Sequence, residues 1–187
     1  NASFGAEDYR KALAGRADAK EPADLSLYVH VPFCNDVCFY CGCNKIVTRD
    51  HSRSAEYIEM IGREADLVKE AVTGSTELEQ LHFGGGTPTA LLPEQMDAVL
   101  TELRNCFDIA PEAEISVESS ATELTAEMLE VLKKGGVNRL SIGIQTFDDE
   151  GRALLGRRGS GEHAANSVRR AIESGIVNTS IDLIYHY

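Results

Sequence analysis

The segment Cys34-Asn-Asp-Val-Cys38-Phe-Tyr-Cys41-Gly-Cys43 carries four of the chain's five cysteines. Spacers of three and then two residues let one short loop turn Cys34, Cys38 and Cys41 toward a common centre. A cubane iron–sulfur cluster fits that spacing, and three thiolates leave one of its irons open. Electron-transfer clusters normally have every iron ligated by cysteine. A vacant metal position is what chemistry on a bound molecule requires, as the contrast between catalytic and structural zinc illustrates. A tetrahedral zinc site using all four thiols is the competing reading, although Cys41 and Cys43 are closer than the usual two-residue spacer allows. Cys43 is left as a fourth ligand, a participant in chemistry, or a structural or accessory thiol, the last being favoured. Cys106 stands among apolar helical positions and is expected to fill core.

Such a knot of cysteines, in a chain without the basic, apolar, small-residue order of a signal peptide, suits a reducing compartment, and the cytoplasm is the expected address. The 187 residues suffice for one domain with a real core. A formal net charge of −12 argues against a nucleic-acid partner or an anionic membrane surface, both of which need excess Lys and Arg. No apolar run is long enough to span a bilayer.

Residues 1–24 are polar and Ala-rich and are read as an N-terminal arm, with a short helix over Glu7–Leu13. From Leu25, short β-rich runs alternate with helical periodicity. The runs are Leu25–Val31, Gln80–Phe83, Glu114–Glu118, Arg139–Ile144 and Thr179–Tyr185, mostly apolar as buried parallel strands are. Between them, Ile58, Ile61, Ala65, Val68 and Val72 step by three and four, as do Met96, Val99, Leu100 and Leu103. Further helices are expected at Thr125–Lys134, Asp148–Leu155 and Glu162–Ser174, with Pro93 in a first turn and Gly135 and Gly175 as C-terminal caps. The fold class is α/β with a parallel sheet, as a barrel or an open doubly wound sheet. In both, ligands bind at the carboxyl ends of the strands.

Those ends are rich in chemistry. The second strand runs into Gly84-Gly85-Gly86-Thr87-Pro88-Thr89, where bare backbone can approach a charged head group. Glu118, Gln145 and Asp182 end the next three and converge on one mouth. His30 and His82 lie in or beside strands and are expected to be satisfied core histidines.

The CxxxCxYC arrangement directly after a first strand resembles the signature of the radical S-adenosylmethionine superfamily. The resemblance implies a [4Fe–4S] cluster on Cys34, Cys38 and Cys41, whose open iron takes the amino and carboxylate groups of S-adenosylmethionine. It places Tyr40 near the adenine, the Gly85-Gly86-Thr87 segment at the amino group, and Arg157 at the carboxylate. Glu118 and Asp182 would take ribose hydroxyls or substrate, with Gln145 close by. Arg158 is expected to be a solvated neighbour.

Within that superfamily, Leu27-Tyr-Val-His-Val-Pro-Phe-Cys34, Cys41-Gly-Cys-Asn-Lys45, Gln145-Thr-Phe147 and Ile181-Asp-Leu-Ile-Tyr185 together resemble the oxygen-independent coproporphyrinogen III oxidase family over about residues 25–185. The likeness adds Tyr28 as a contact of S-adenosylmethionine. It implies a tetrapyrrole substrate whose propionates lose carbon dioxide to become vinyl groups, a second S-adenosylmethionine, a reduced flavodoxin- or ferredoxin-type electron donor, and arginines near the mouth to meet the carboxylates. A heme-delivering relative and a radical C-methyltransferase share this front end. Two departures stand out: Ser119-Ser-Ala-Thr122 replaces a Val-Asp-Pro-Arg type turn, and the chain stops at Tyr187 where relatives continue. The expectation is a partial (β/α) barrel of about five βα units over 25–187, lacking its C-terminal part and inactive by itself.

Overall fold

A computed structural model describes residues 4–18, 24–75, 77–176 and 178–186. Parts of the expected arm (1–3 and 19–23) and the final Tyr187 lie outside them. The elements run α1 (Ala6–Ala14), β1 (Leu25–Val31), β2 (Phe33–Cys34), β3 (Ile46–Val47), α2 (His51–Ala71), β4 (Glu77–Gly85), α3 (Pro93–Cys106), β5 (Asp108–Ser120), α4 (Ala126–Lys134), β6 (Arg139–Gln145), α5 (Asp149–Leu154), α6 (Gly161–Glu173) and β7 (Asn178–Leu183). Side chains at the helix starts explain several boundaries. Asp50, Thr125, Asp148 and Ser160 each accept a first-turn amide of the helix that follows. Pro93 opens α3. At the end of α4 the cap itself is Gly135 with φ −70°, and it is Gly136 that takes the left-handed conformation at φ +77°. Gly175, after α6, has φ +96°.

Five strands form one parallel sheet in the order β1-β4-β5-β6-β7. Each new strand is added beside the one before it. A doubly wound sheet would reverse direction at a switch point, so of the two architectures open to the sequence this is the arc of a barrel.

The two faces differ sharply. Leu81, Phe83, Ile115, Val117, Leu140 and Ile142 point outward and pack with Met96, Leu100, Leu103, Met128 and Leu132 of the helices. Each such side chain contributes about 1.5–3 kcal/mol on burial. The inner face carries Ser26, Tyr28 and His30 on β1, His82 on β4, Ser116 and Glu118 on β5, Arg139 and Ser141 on β6, and Asp182 on β7. The strands are therefore apolar on one side only, which corrects the expectation of runs buried on both. His30 and His82 are hydrogen-bonded as expected, but on this inner face and not in the core. His30 meets Tyr28 Oη at 3.3 Å and the Asn44 carbonyl at 3.2 Å. His82 meets Ser116 Oγ at 2.7 Å and Glu118 at 3.4 Å.

Helix α1 lies outside the sheet and is tied to the turn after α2, where Thr73 Oγ1 donates to the Ala14 carbonyl at 2.5 Å and Arg16 donates to that of Ser75 at 2.8 Å. Among the described residues no helix is long and apolar enough to cross a membrane.

Candidate cluster and cofactor site

Between β1 and α2 the chain makes a small parallel pair, Phe33 with Ile46 and Cys34 with Val47. Ile46 N–H donates to the Pro32 carbonyl (2.7 Å) and Thr48 N–H to that of Cys34 (3.0 Å). This clasp closes the loop 35–45 and sets Cys34 at its base, buried, with Cys38 and Cys41 half-buried and Cys43 exposed. The loop leans on the turn after α5, where Phe39 N–H donates to the Leu155 carbonyl at 3.2 Å. Lys45 Nζ reaches back to the Cys41 carbonyl at 2.9 Å.

The glycine segment holds the other wall. Gly86 N–H donates to the Val31 carbonyl and Thr87 N–H to that of Phe33, both at 2.8 Å. A Cβ on Gly86 would lie 2.7 Å from the carbonyl oxygens of Pro32 and Phe33, and Gly85 has φ +115°. Close packing against the segment leading into Cys34 thus explains these glycines, and the two amides are spent on it.

The remaining strand ends meet the loop. Arg157 Nη1 donates to Cys38 Sγ at 3.2 Å, and its Nη2 donates to the Gly143 carbonyl. Arg157 Nε and Gln145 Oε1 are buried without a partner, while Gln145 itself sits at φ +65°. Ser141 Oγ donates to Asp182 at 3.3 Å. One cavity of about 220 Å³ is lined by Cys34, Cys38, Tyr40, Cys41, Gly85, Gly86, Thr87, Glu118, Gln145, Arg157 and Asp182. Of the residues assigned from sequence to the cluster or to S-adenosylmethionine, only Tyr28 lies outside it. Its ring stacks on His82 at 5.5 Å, below the mouth.

The thiols are not equivalent. Burial pushes Cys34 up, against a lowering contact with Thr87. Burial also acts to raise Cys41, but hydrogen bonds from Cys43 and Lys45 outweigh it and the Cys41 thiol falls below its ordinary value. Cys43 is raised by its hydrogen bond to Cys41. It therefore behaves as a donor to Cys41. Burial pushes the Tyr40 phenol up as well.

Among the described residues, Asp66, Glu102 and Cys106 on the outer helices bring three ligating atoms within 4.8 Å of one another. The buried, unpartnered Arg157 Nε and Gln145 Oε1 beside the cysteine loop are polar groups awaiting a polar ligand. The residues present therefore fit a cluster and a charged cofactor. Cys106 is buried in the outer core and touches Asp66 at 3.5 Å.

Several residues at this site gave no advance signal. Asp36 bridges Arg49 (3.0 Å) and Arg158 (2.8 Å), so Arg158 is ion-paired and not merely solvated. In the unusual turn after Glu118, Ser119 Oγ and Thr89 Oγ1 share a buried hydrogen bond of 2.7 Å. Ser120 and Thr122 are linked at 3.0 Å.

The model of the Radical SAM superfamily matches residues 28–187. Oxygen-independent coproporphyrinogen III oxidase of Salmonella typhimurium is 39% identical over 180 residues, which is 96% of this chain and 39% of that protein. That of Bradyrhizobium diazoefficiens is 40% identical over 163 residues, 87% of this chain and 36% of the other. The chain thus spans about two fifths of the length of the curated relatives it matches. Among solved structures, coproporphyrinogen III oxidase from Escherichia coli, described as a radical SAM enzyme, superposes with a TM-score of 0.88 at 38% identity over 97% of this chain and 41% of that one. A maturase of the [FeFe]-hydrogenase shares the fold alone, with a TM-score of 0.56 at 20% identity.

Proposed function

The chain belongs to the radical SAM superfamily, and from that premise we propose that it forms the cofactor-binding core of an oxygen-independent coproporphyrinogen III oxidase, with residues 25–187 as the core and 1–24 as an arm. When bound, a [4Fe–4S] cluster and S-adenosylmethionine would supply the hydrogen-abstracting radical chemistry that opens a propionate to decarboxylation, and the protein supplies position and dryness. Cys34, Cys38 and Cys41 hold the cluster, and Cys43 supports Cys41. Arg157 is the cation for a cofactor carboxylate. The backbone at Gly85, Gly86 and Thr87 walls the amino group, and Tyr40 the adenine. Glu118 and Asp182 accept hydroxyls on opposite sides of Gln145, whose unmet oxygen accepts another donor. Tyr28, stacked on His82, borders the inner face on which a second S-adenosylmethionine and the porphyrinogen would lie. Arg49 and Arg158 at the rim, already shared with Asp36, answer the carboxylates of the substrate in an otherwise acidic chain. A reduced flavodoxin- or ferredoxin-type protein completes the electron supply, and the free thiols suit the cytoplasm.

The observation that carries this reading is the gathering of three thiols, a guanidinium and three strand-end polar groups around one cavity. With the chain carried in a full-length oxidase, anaerobic reconstitution with iron and sulfide, then addition of reductant, S-adenosylmethionine and coproporphyrinogen III, should yield 5′-deoxyadenosine and vinyl product. Deoxyadenosine with intact propionates would redirect the substrate toward methyl transfer, and heme binding without cofactor cleavage toward delivery. A colourless protein carrying stoichiometric zinc would overturn the reading.

A further inference from the structure

Arg152, within α5, is 1% exposed. Its guanidinium donates to main-chain carbonyls on two segments. Nη1 reaches those of Ile144 (3.1 Å) and Thr146 (3.0 Å), Nε that of Gly159 (2.8 Å), and Nη2 that of Arg158 (2.6 Å). Burying a cation is strongly unfavourable unless its donors are met. A leucine or methionine would fill the same space without that cost, so volume does not account for the choice. Burial and the nearby positive charge of Arg157 both weaken the hold of Arg152 on its proton, which makes the placement more demanding still.

The two clasped segments have a common neighbour. Residues 144–146 flank Gln145 at φ +65°, and residues 158–159 directly follow Arg157. The main chain closes the same ring, since Arg157 N–H donates to the Arg152 carbonyl at 2.8 Å. Arg157 leaves this ring to donate to Cys38 Sγ at 3.2 Å. We propose that Arg152 is a positioning residue, which fixes the 156–159 turn so that the Arg157 guanidinium stays on the Cys38 sulfur and thereby sets the reduction potential of the cluster. The proposal rests on Cys38 being a cluster ligand. A cationic N–H on a cluster thiolate favours the reduced, more negative state and raises the potential, so loosening the turn lowers it.

The test compares the anaerobically reconstituted protein with Arg152→Met, Arg157→Met and the double variant, measuring iron and sulfide content and then the midpoint potential by EPR-monitored titration. Arg152→Met should keep its iron yet shift the potential down by most of the Arg157→Met shift, and the double variant should go no lower than Arg157→Met. Arg152→Gln, which retains a donor for one carbonyl, covers the case in which the methionine variant does not fold, and should give a smaller downward shift. An unchanged potential in the Arg152 variants, or a double-variant shift equal to the sum of the singles, overturns the proposal while leaving the cluster reading intact. Absence of iron and sulfide in the unsubstituted protein overturns both.

Discussion

Asn35 Nδ2 donates to Glu123 Oε2 at 2.8 Å, joining the cysteine loop to the turn that follows β5 across 88 residues of sequence. The bond joins two residues of the cavity lining and restrains the loop in addition to its contacts with the turn after α5. A hydrogen bond to a charged group is worth about 1.5–3 kcal/mol, less where solvent reaches it. Glu123→Ala should therefore leave the fold intact and speed iron loss to a chelator several-fold. Equal loss rates in the two proteins would show that the bond does not restrain the loop.

Replacing Cys34, Cys38 or Cys41 by Ala should remove the brown colour and the acid-labile sulfide after reconstitution. Cys106→Ala should keep both and lower stability by roughly 1 kcal/mol, the ordinary scale for trimming a buried side chain. Loss of cluster in the Cys106 variant would transfer the ligand assignment to the outer helices.

Gly86→Ala would drive a methyl group to 2.7 Å from the Pro32 and Phe33 carbonyls. Overpacking of this kind costs about 1–3 kcal/mol, and here it pushes on the strand that ends in Cys34. Both the denaturation midpoint and the iron content should fall. Gly15→Ala, with nothing within 4 Å of its Cβ, should change neither. Equal behaviour of the two variants would contradict the packing account of the glycine segment.

In the cluster-free protein the thiols should alkylate out of order with their exposure. The Cys41 thiol is lowered, while burial raises Cys34 and Cys106 and the bond to Cys41 raises Cys43. At any pH below the ordinary thiol range, Cys41 then carries more thiolate than these three, and thiolate is the reacting form. Peptide mapping after brief iodoacetamide treatment near pH 7.5 should find Cys41 labelled ahead of the more exposed Cys43. The reverse order would show that exposure governs.

The helices and five principal strands were legible because each repeats its apolar spacing over several residues, as Met96, Val99, Leu100 and Leu103 do. The pair Phe33–Cys34 with Ile46–Val47 was not, since two-residue strands have no period to read. Strand β5 begins at Asp108, six residues before the expected Glu114, because Pro111 and the charges around it read as a break. At the site, residues that end strands or neighbour the cysteines were visible by position. Gln145 gave no sign of its left-handed backbone, which tertiary contacts impose. Arg152 gave none of its burial, because an arginine in a short polar helix reads as solvated whenever its partners are carbonyls that sequence cannot display.

The inner wall of the sheet holds hydroxyls, carboxylates and rings where a closed barrel would pack aliphatic layers. Folding therefore draws its apolar driving force from the outer helices, and the wall contributes little to it. Changes at the half-buried Ser141 or Ser180 should therefore carry only a small thermal penalty, so this surface can vary without unfolding the sheet. A scaffold built this way can exchange one guest for another across evolution without first surrendering the architecture that houses it.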